Sequence, residues 1–354
     1  TNRFIGKKLL SKEAIKKKLK GIKRESQLKF ATMKIFNKYL DFPYPWEVLK
    51  LSRRIKNQDV VYSSIGNVKI DLMLIFFYLL NRNTRFIIGY RKPLYSEKLF
   101  SIYNIKYRIA ILLFSLFKKR FYHHALSKHA KNFLDKFYPP RKVIHIVHGI
   151  ELNDYLKESN LERRKDILKF CYIGFLDDIH KGIGILLEAI NLVLEGNENL
   201  KVSFEFCGTG PLAPQVRELE EKYPRYVKYY GYISNELISD YYMNNDVYLF
   251  SSRREPFPRA IMEALGAKLI IICSKTIGSI ELLKGKEFGF FISSLEPISI
   301  KEKILEVYNL WKSDPVKFRE LQDSAKKFVF QNYSTSREIE MFRDLIAKIT
   351  KVKR

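Results

Sequence analysis

The stretch Glu255-Pro-Phe-Pro-Arg-Ala-Ile-Met-Glu263 places two carboxylates with seven residues between them. Upstream, Asn245-Asp246-Val-Tyr-Leu-Phe-Ser-Ser252 reads as a buried strand running out into a loop. Downstream, Ala264-Leu-Gly266 leads into a second apolar strand, Lys268–Cys273. Glu255 is therefore expected in a strand-to-helix loop and Glu263 about two turns into the following helix. Pro256 and Pro258 suit that helix's first turn, where a missing N–H costs nothing. A helix N-terminus at the carboxyl edge of a parallel strand, flanked by carboxylates, is where open α/β sheets bind anionic ligands. The spacing alone carries little, since 25 Glu in 354 residues give about two such pairs by chance.

An ordered series of companions gives the pair its weight. Phe170-Cys-Tyr-Ile-Gly174 reads as a strand ending in glycine, followed by Lys181-Gly182 and an amphipathic helix over 183–193. Val202–Cys207 opens onto Gly208-Thr-Gly210-Pro, and Val227–Tyr230 onto Gly231-Tyr232-Ile233. Strands alternating with helices over residues 168–295 imply βαβ units and a parallel sheet covered on both faces. The first half is also expected to be α/β. Asp59–Ile65, Arg85–Gly89 and Lys142–Val147 read as strands, with a helix at 70–80.

The order Gly174…Lys181-Gly182, Gly208-x-Gly210-Pro, Gly231-Tyr-Ile, Glu255-x7-Glu263, Gly278-Ser-Ile-Glu281 and Gly289 resembles the nucleotide-binding half of family 4 glycosyltransferases (group 1). Those are retaining, metal-independent enzymes with two Rossmann-like domains facing a cleft, the GT-B fold. The resemblance is dense over 143–295, thinner over 55–142 and close to absent over 1–54. It implies an acceptor-side domain at 1–148 and a nucleotide-sugar-binding domain at 149–332. A C-terminal helix at 333–354 would cross back toward the first domain. The usual opening, a strand with a Gly-rich loop, is replaced by basic helical segments such as Ser11–Gly21, and the chain starts at Thr1. The N-terminal domain is accordingly expected to be reduced or truncated.

The resemblance also assigns roles. Lys181 takes the position of the diphosphate lysine, Glu263 that of the ribose-binding carboxylate, and Glu255 that of the residue holding the donor sugar near the reacting carbon. Gly174, Gly208 and Gly210 would let the chain approach the nucleotide, Tyr232 and Ile233 would frame the base, and amides from Phe257 onward would assist. Three departures stand out. Phe175 replaces the partner arginine, for which Arg259 is the candidate substitute. Pro258 removes one amide donor. Tyr90-Arg91-Lys92 stands where a histidine is usual, and Arg91 could touch a phosphate or sugar oxygen without copying a neutral imidazole. No metal and no cofactor is expected. The donor itself, a nucleoside diphosphate sugar, is the ligand.

Charge divides the chain. Residues 1–150 hold 33 of the 64 Lys and Arg but only 8 of the 38 Asp and Glu, so +25 of the net +26 lies there. An anionic membrane surface or a phosphate-bearing acceptor would explain that excess. The runs Leu72–Leu80 and Ile109–Phe117 are too short to span a bilayer, which takes about 20 apolar residues. They read as core helices, or for the second run, ahead of Lys118-Lys-Arg120, as an interfacial helix. The three cysteines fall in apolar strands without metal-ligand spacing, and His123, His124 and His129 are expected to face solvent on a basic helix. The resulting expectation is a glycosyltransferase, cytoplasmic and peripheral on the cytoplasmic membrane face, with a glycan, lipid-linked or phosphate-bearing acceptor. Two alternatives remain: a catalytically impaired nucleotide-sugar-binding or partner-binding protein on the same fold, and nucleic-acid binding through the basic half, for which no motif exists.

Overall fold

The computed structural model describes residues 59–64, 68–81, 83–90, 102–117, 119–156, 166–195 and 199–351. Arg91, Lys118 and the Ser11–Gly21 segment lie outside them. Two parallel sheets organise the described residues. The first has four strands, β1 (Val60–Ser64), β2 (Arg85–Tyr90), β3 (Phe121–Ala125) and β4 (Val143–His145), adjacent in chain order. Helices α1 (Val68–Leu80), α2 (Ile102–Leu116) and α3 (Lys128–Leu134) connect them.

Period-two alternation sends successive side chains of these strands to opposite faces. Phe86 and Phe121 meet Tyr78 of α1 and Phe114 of α2, with ring centroids 4.8 to 6.3 Å apart. Ile87, Tyr122 and Ile146 face the other way, against Leu345 and Ile349 of α11 (Thr335–Lys351). Both faces are thus covered. For this reason the expectation for His123 and His124 fails: they are the third and fourth residues of β3, each 1% exposed, not solvent-facing helix residues. The Tyr90 hydroxyl lies 3.0 Å from His123 Nδ1, and Tyr138 stacks on the same ring. Burial, aided by Lys142, pushes the His123 pKa down to about 3, so the ring is neutral.

The second sheet has six strands, β5 (Leu168–Ile173), β6 (Val202–Cys207), β7 (Val227–Tyr229), β8 (Val247–Phe250), β9 (Ile270–Cys273) and β10 (Gly289–Phe291). Their spatial order is β10-β9-β8-β5-β6-β7, all parallel. Helices α4 (Ile183–Glu195), α5 (Ala213–Lys222), α6 (Ile238–Met243), α7 (Arg259–Gly266), α8 (Ile277–Leu283), α9 (Pro297–Ser313) and α10 (Pro315–Asn332) accompany it. The central strands β8 and β9 are apolar and buried at every position, as burial on both faces requires, while β5 and β6 carry Lys169 and Glu205, which lie 3.5 Å apart. Cys171, Cys207 and Cys273 are buried free thiols.

The chain passes from the first sheet to the second at 149–150 and returns at 333–335. The two passages are hydrogen-bonded to each other: the Ile150 N–H donates to the Tyr333 carbonyl at 2.9 Å and the Thr335 N–H to the Ile150 carbonyl at 3.0 Å. Glu338 adds to this junction, accepting from the Gly149 N–H at 2.9 Å and lying 3.2 Å from His148 Nδ1. No helix among the described residues is long and apolar enough to cross a membrane.

Candidate active site

The chain runs from β5 outward through β6 to β7, then returns to place β8 on the other side of β5. The order reverses between β5 and β8, and the crevice beyond the carboxyl ends of such a pair is where open α/β sheets take their ligands. The loop after β5 carries Lys181, and the loop after β8 carries Glu255. Their side chains meet there, Lys181 Nζ donating to Glu255 Oε2 at 2.9 Å, each about a quarter exposed. A partly desolvated ammonium–carboxylate hydrogen bond is among the stronger polar contacts.

Several further contacts fasten the two loops. Ser251 Oγ donates to the Lys181 carbonyl at 2.7 Å, and the Arg253 N–H to the His180 carbonyl at 2.9 Å. The Arg253 guanidinium reaches the Asp178 carbonyl (2.8 Å) and its carboxylate (3.0 Å). Asp177 accepts from the amides of His180 (3.1 Å) and Lys181 (2.9 Å) and lies 3.1 Å from His180 Nδ1. Burial alone would raise the Asp177 pKa. The Lys181 and His180 amides and the His180 ring outweigh it and hold the carboxyl below its usual range.

The helix after Glu255 starts later than the proline pattern implies. Pro258 is the extended N-cap residue (φ −82°, ψ 98°) and α7 begins at Arg259, so neither proline lies in the first turn. Glu263 is the fifth helical residue, little more than one turn in. Its Oε1 accepts from Arg259 Nε at 2.9 Å, and Arg259 is 54% exposed while Glu263 is 19% exposed. The proposed diphosphate cation and the proposed ribose carboxylate are thus paired with each other. Phe257 is buried and packs on Tyr333. The Glu255 carbonyl accepts from the Gly278 N–H at 3.0 Å, and a Cβ at Gly278 would come within 2.5 Å of Pro258 Cδ. Glycine is required there because the two backbones touch.

The glycine-bearing loops form the other side of the crevice. Gly208 (φ 135°) donates its N–H to the Gly231 carbonyl at 2.7 Å, and a Cβ on it would overlap the Gly174 carbonyl oxygen. Leu176 bonds to Thr209 and Leu212 through its backbone, which holds Gly210 against the loop after β5. Phe175, Tyr230 and Tyr232 project at this edge, 53%, 51% and 67% exposed, and Ile233 is half-buried. The edge therefore offers exposed aromatic faces rather than a second cation at position 175. Gly174, Lys181, Gly208, Gly210, Tyr232, Ile233, Glu255, Phe257, Arg259 and Glu263 all lie in the loops and first turns beyond the carboxyl ends of β5 to β8. Arg91 lies outside the described residues.

Sequence reasoning missed the Arg253–Asp178 tie, the Asp177 turn and the partners of Glu281. Asp177-Asp178 ahead of Lys181 and Arg253-Arg254 ahead of Glu255 are complementary charge pairs. Linking them across 75 residues requires knowing that β5 and β8 are neighbours.

Residues 168–309 match the family model described as glycosyl transferases group 1. A glycogen synthase of Thermodesulfovibrio yellowstonii is 31% identical over 175 residues, 48% of this chain and 33% of that protein. An uncharacterized glycosyltransferase of Methanocaldococcus jannaschii is 27% identical over 210 residues, 55% of this chain and 51% of that one. The chain thus spans about a third of the first relative's length and about half of the second's. Among solved structures, Anabaena HepE in complex with UDP superposes with a TM-score of 0.68 at 19% identity, over 85% of this chain and 82% of that one. The fold is the two-sheet GT-B architecture. Residues 168–309, whose loops build the crevice just described, are the part of the chain that matches the group 1 glycosyltransferases.

Proposed function

We propose that this protein transfers a sugar, with retention and without a metal ion, from a nucleoside diphosphate sugar to a glycan, lipid-linked or phosphate-bearing acceptor. The observation that carries the reading is the Lys181–Glu255 pair across the strand-order reversal. When the bond between the anomeric carbon and the diphosphate oxygen breaks, its electron pair goes to the diphosphate. Lys181 neutralises that charge, and Glu255 faces the positive charge developing on the sugar. Glu263 takes the ribose hydroxyls, for which a carboxylate has the paired lone pairs. Arg259 uses only its Nε–H on Glu263, which leaves the other guanidinium N–H groups for the diphosphate. A nucleoside diphosphate as the ligand class agrees with the UDP bound in Anabaena HepE.

Turnover of a panel of nucleotide sugars in chelator, with the anomeric configuration of the product read by NMR, tests the reading. Retained configuration in chelator is the expected result. Inversion, or activity restored only by a divalent cation, would overturn it.

Exposed Phe175, where the resemblance expects arginine, favours a second reading as a nucleotide-sugar-binding protein without turnover. Binding without transfer to any acceptor would select it. For location we propose the cytoplasmic membrane face. Leu79 and Leu80 of α1 and Leu112 and Leu116 of α2 are 49 to 75% exposed, on a half of the chain that is strongly basic. Vesicle sedimentation that rises with anionic lipid and falls with salt is expected. Equal recovery from neutral and anionic vesicles would remove the membrane.

A further inference from the structure

Glu281, in α8, makes its contacts outside its own domain. Both its carboxylate oxygens accept from the Lys128 N–H at 2.8 Å, at the start of α3, and Oε1 lies 3.5 Å from His145 Nε2 at the end of β4. All of these partners belong to the first sheet and its connections. The side chain is 14% exposed. Burial by itself would raise its pKa, but the His145 ring and the amides of Lys128 and His129 outweigh burial and hold the carboxyl below its usual range. It therefore stays charged where its partners need a charge.

Three residues earlier on the same helix, Gly278 donates to the Glu255 carbonyl and presses against Phe257 and Pro258 without room for a Cβ. The helix between these contacts is short and stiff. It is fixed at its start by the buried reciprocal bonds of Thr276 and Ser279. One helix, α8, therefore touches both α3 and the backbone of the Glu255 loop.

We propose that Glu281 is a positioning residue that sets the register between the acceptor-side domain and the Glu255 loop. This rests on the transfer reaction proposed above. The Glu338–His148 contact sits at the chain crossing and holds the junction itself. Glu281 alone among these carboxylates is on the helix that touches the Glu255 loop. Acceptor placement and donor-sugar placement then form one mechanical unit, as a transfer between two domains requires.

The test uses the full chain with Glu281→Ala and Glu281→Gln. Binding of the free nucleoside diphosphate, which the second domain supplies, should stay within about twofold in both. Turnover should fall about tenfold or more in Glu281→Ala, with the KM for acceptor rising. Glu281→Gln should recover part of the loss, because its amide oxygen still accepts from the Lys128 N–H. The native thiols are buried, so spin labels at Lys136→Cys and Glu221→Cys report the distance between the domains. That distribution should broaden in Glu281→Ala. Unchanged turnover and an unchanged distribution would overturn the proposal. So would nucleotide affinity lost in parallel with turnover, which would make Glu281 a support of the second sheet alone. If the wild type turns over no nucleotide sugar, the proposed reaction fails, while the distance measurement still decides whether Glu281 couples the domains.

Discussion

The two sheets are built by one rule and used differently. Each is parallel and packs a hydrophobic core against its helices. In the first, the described strands lie side by side in chain order, so each connection leads to the next strand and the order does not reverse among them. The two imidazoles in the middle of β3 are turned inward, His123 against Tyr90 and Tyr138 and His124 against Tyr62 and the Ile146 carbonyl. In the second, the order reverses between β5 and β8, and polar side chains gather outside the strand ends. A parallel sheet thus becomes a site where the connections part, which leaves backbone and charged side chains facing a gap.

Four measurements would break or sharpen this contrast. The largest effect is expected from Phe121→Ala in the first core, where a buried aromatic meets Phe86, Phe114 and Tyr78. Stability should drop by about 3–5 kcal/mol, while nucleoside diphosphate affinity measured below the transition stays unchanged. Should both fall together, the two sheets would not be separable in function.

Lys181→Ala should act the opposite way, leaving the melting temperature within a few degrees and cutting turnover about 10²–10³-fold, as loss of a charge-stabilising donor does. Near-normal turnover in this variant would move the chemistry away from the β5–β8 gap. Glu263→Ala comes next, with nucleotide binding weakened by about 1.5–3 kcal/mol, the range for hydrogen bonds to a charged group. Calorimetry on Arg259→Ala beside it separates the two roles. Tighter binding in that variant would mean that Arg259 only occupies Glu263, and weaker binding that it reaches the diphosphate.

The smallest effect concerns acid. His123 is neutral in the fold, with its pKa lowered from 6.5 to about 3. The unfolded chain binds that proton first, so stability is fully present above pH 6.5 and declines as pH falls toward 3. One unit below 6.5 the loss should be about 1.4 kcal/mol. His123→Gln should flatten the pH dependence of unfolding over that window, and an unchanged slope would show that other groups carry it.

Much of the second sheet could be read from the sequence because its signals are local. A strand that ends in glycine, a Lys-Gly before a helix and a carboxylate beside a proline-led helix each sit within ten residues. The order of the strands is not local. Nothing in Phe170–Ile173 or Val247–Phe250 says that they pair, and so the Lys181–Glu255 contact and the Arg253–Asp178 tie were invisible. The misreading of His123 and His124 has another source. Two imidazoles in a five-residue strand next to a basic stretch look like a solvated surface, but His123 is covered by Tyr90 and Tyr138 on one face and His124 by Phe342 of α11, more than 200 residues away, on the other. The helix start at Arg259 moved for a simpler reason: Pro258 serves as the cap rather than as the first helical residue.

The helix over 335–351 has a consequence for how the protein is made. Leu345 and Ile349 complete the core of a sheet whose strands end at His145. On the ribosome, all four strands emerge long before that helix, and the whole six-stranded sheet is synthesised in between. Domains usually fold as units in the order they appear. Here Ile87, Tyr122 and Ile146 of the first sheet lack the cover of Leu345 and Ile349 until the second sheet has been translated.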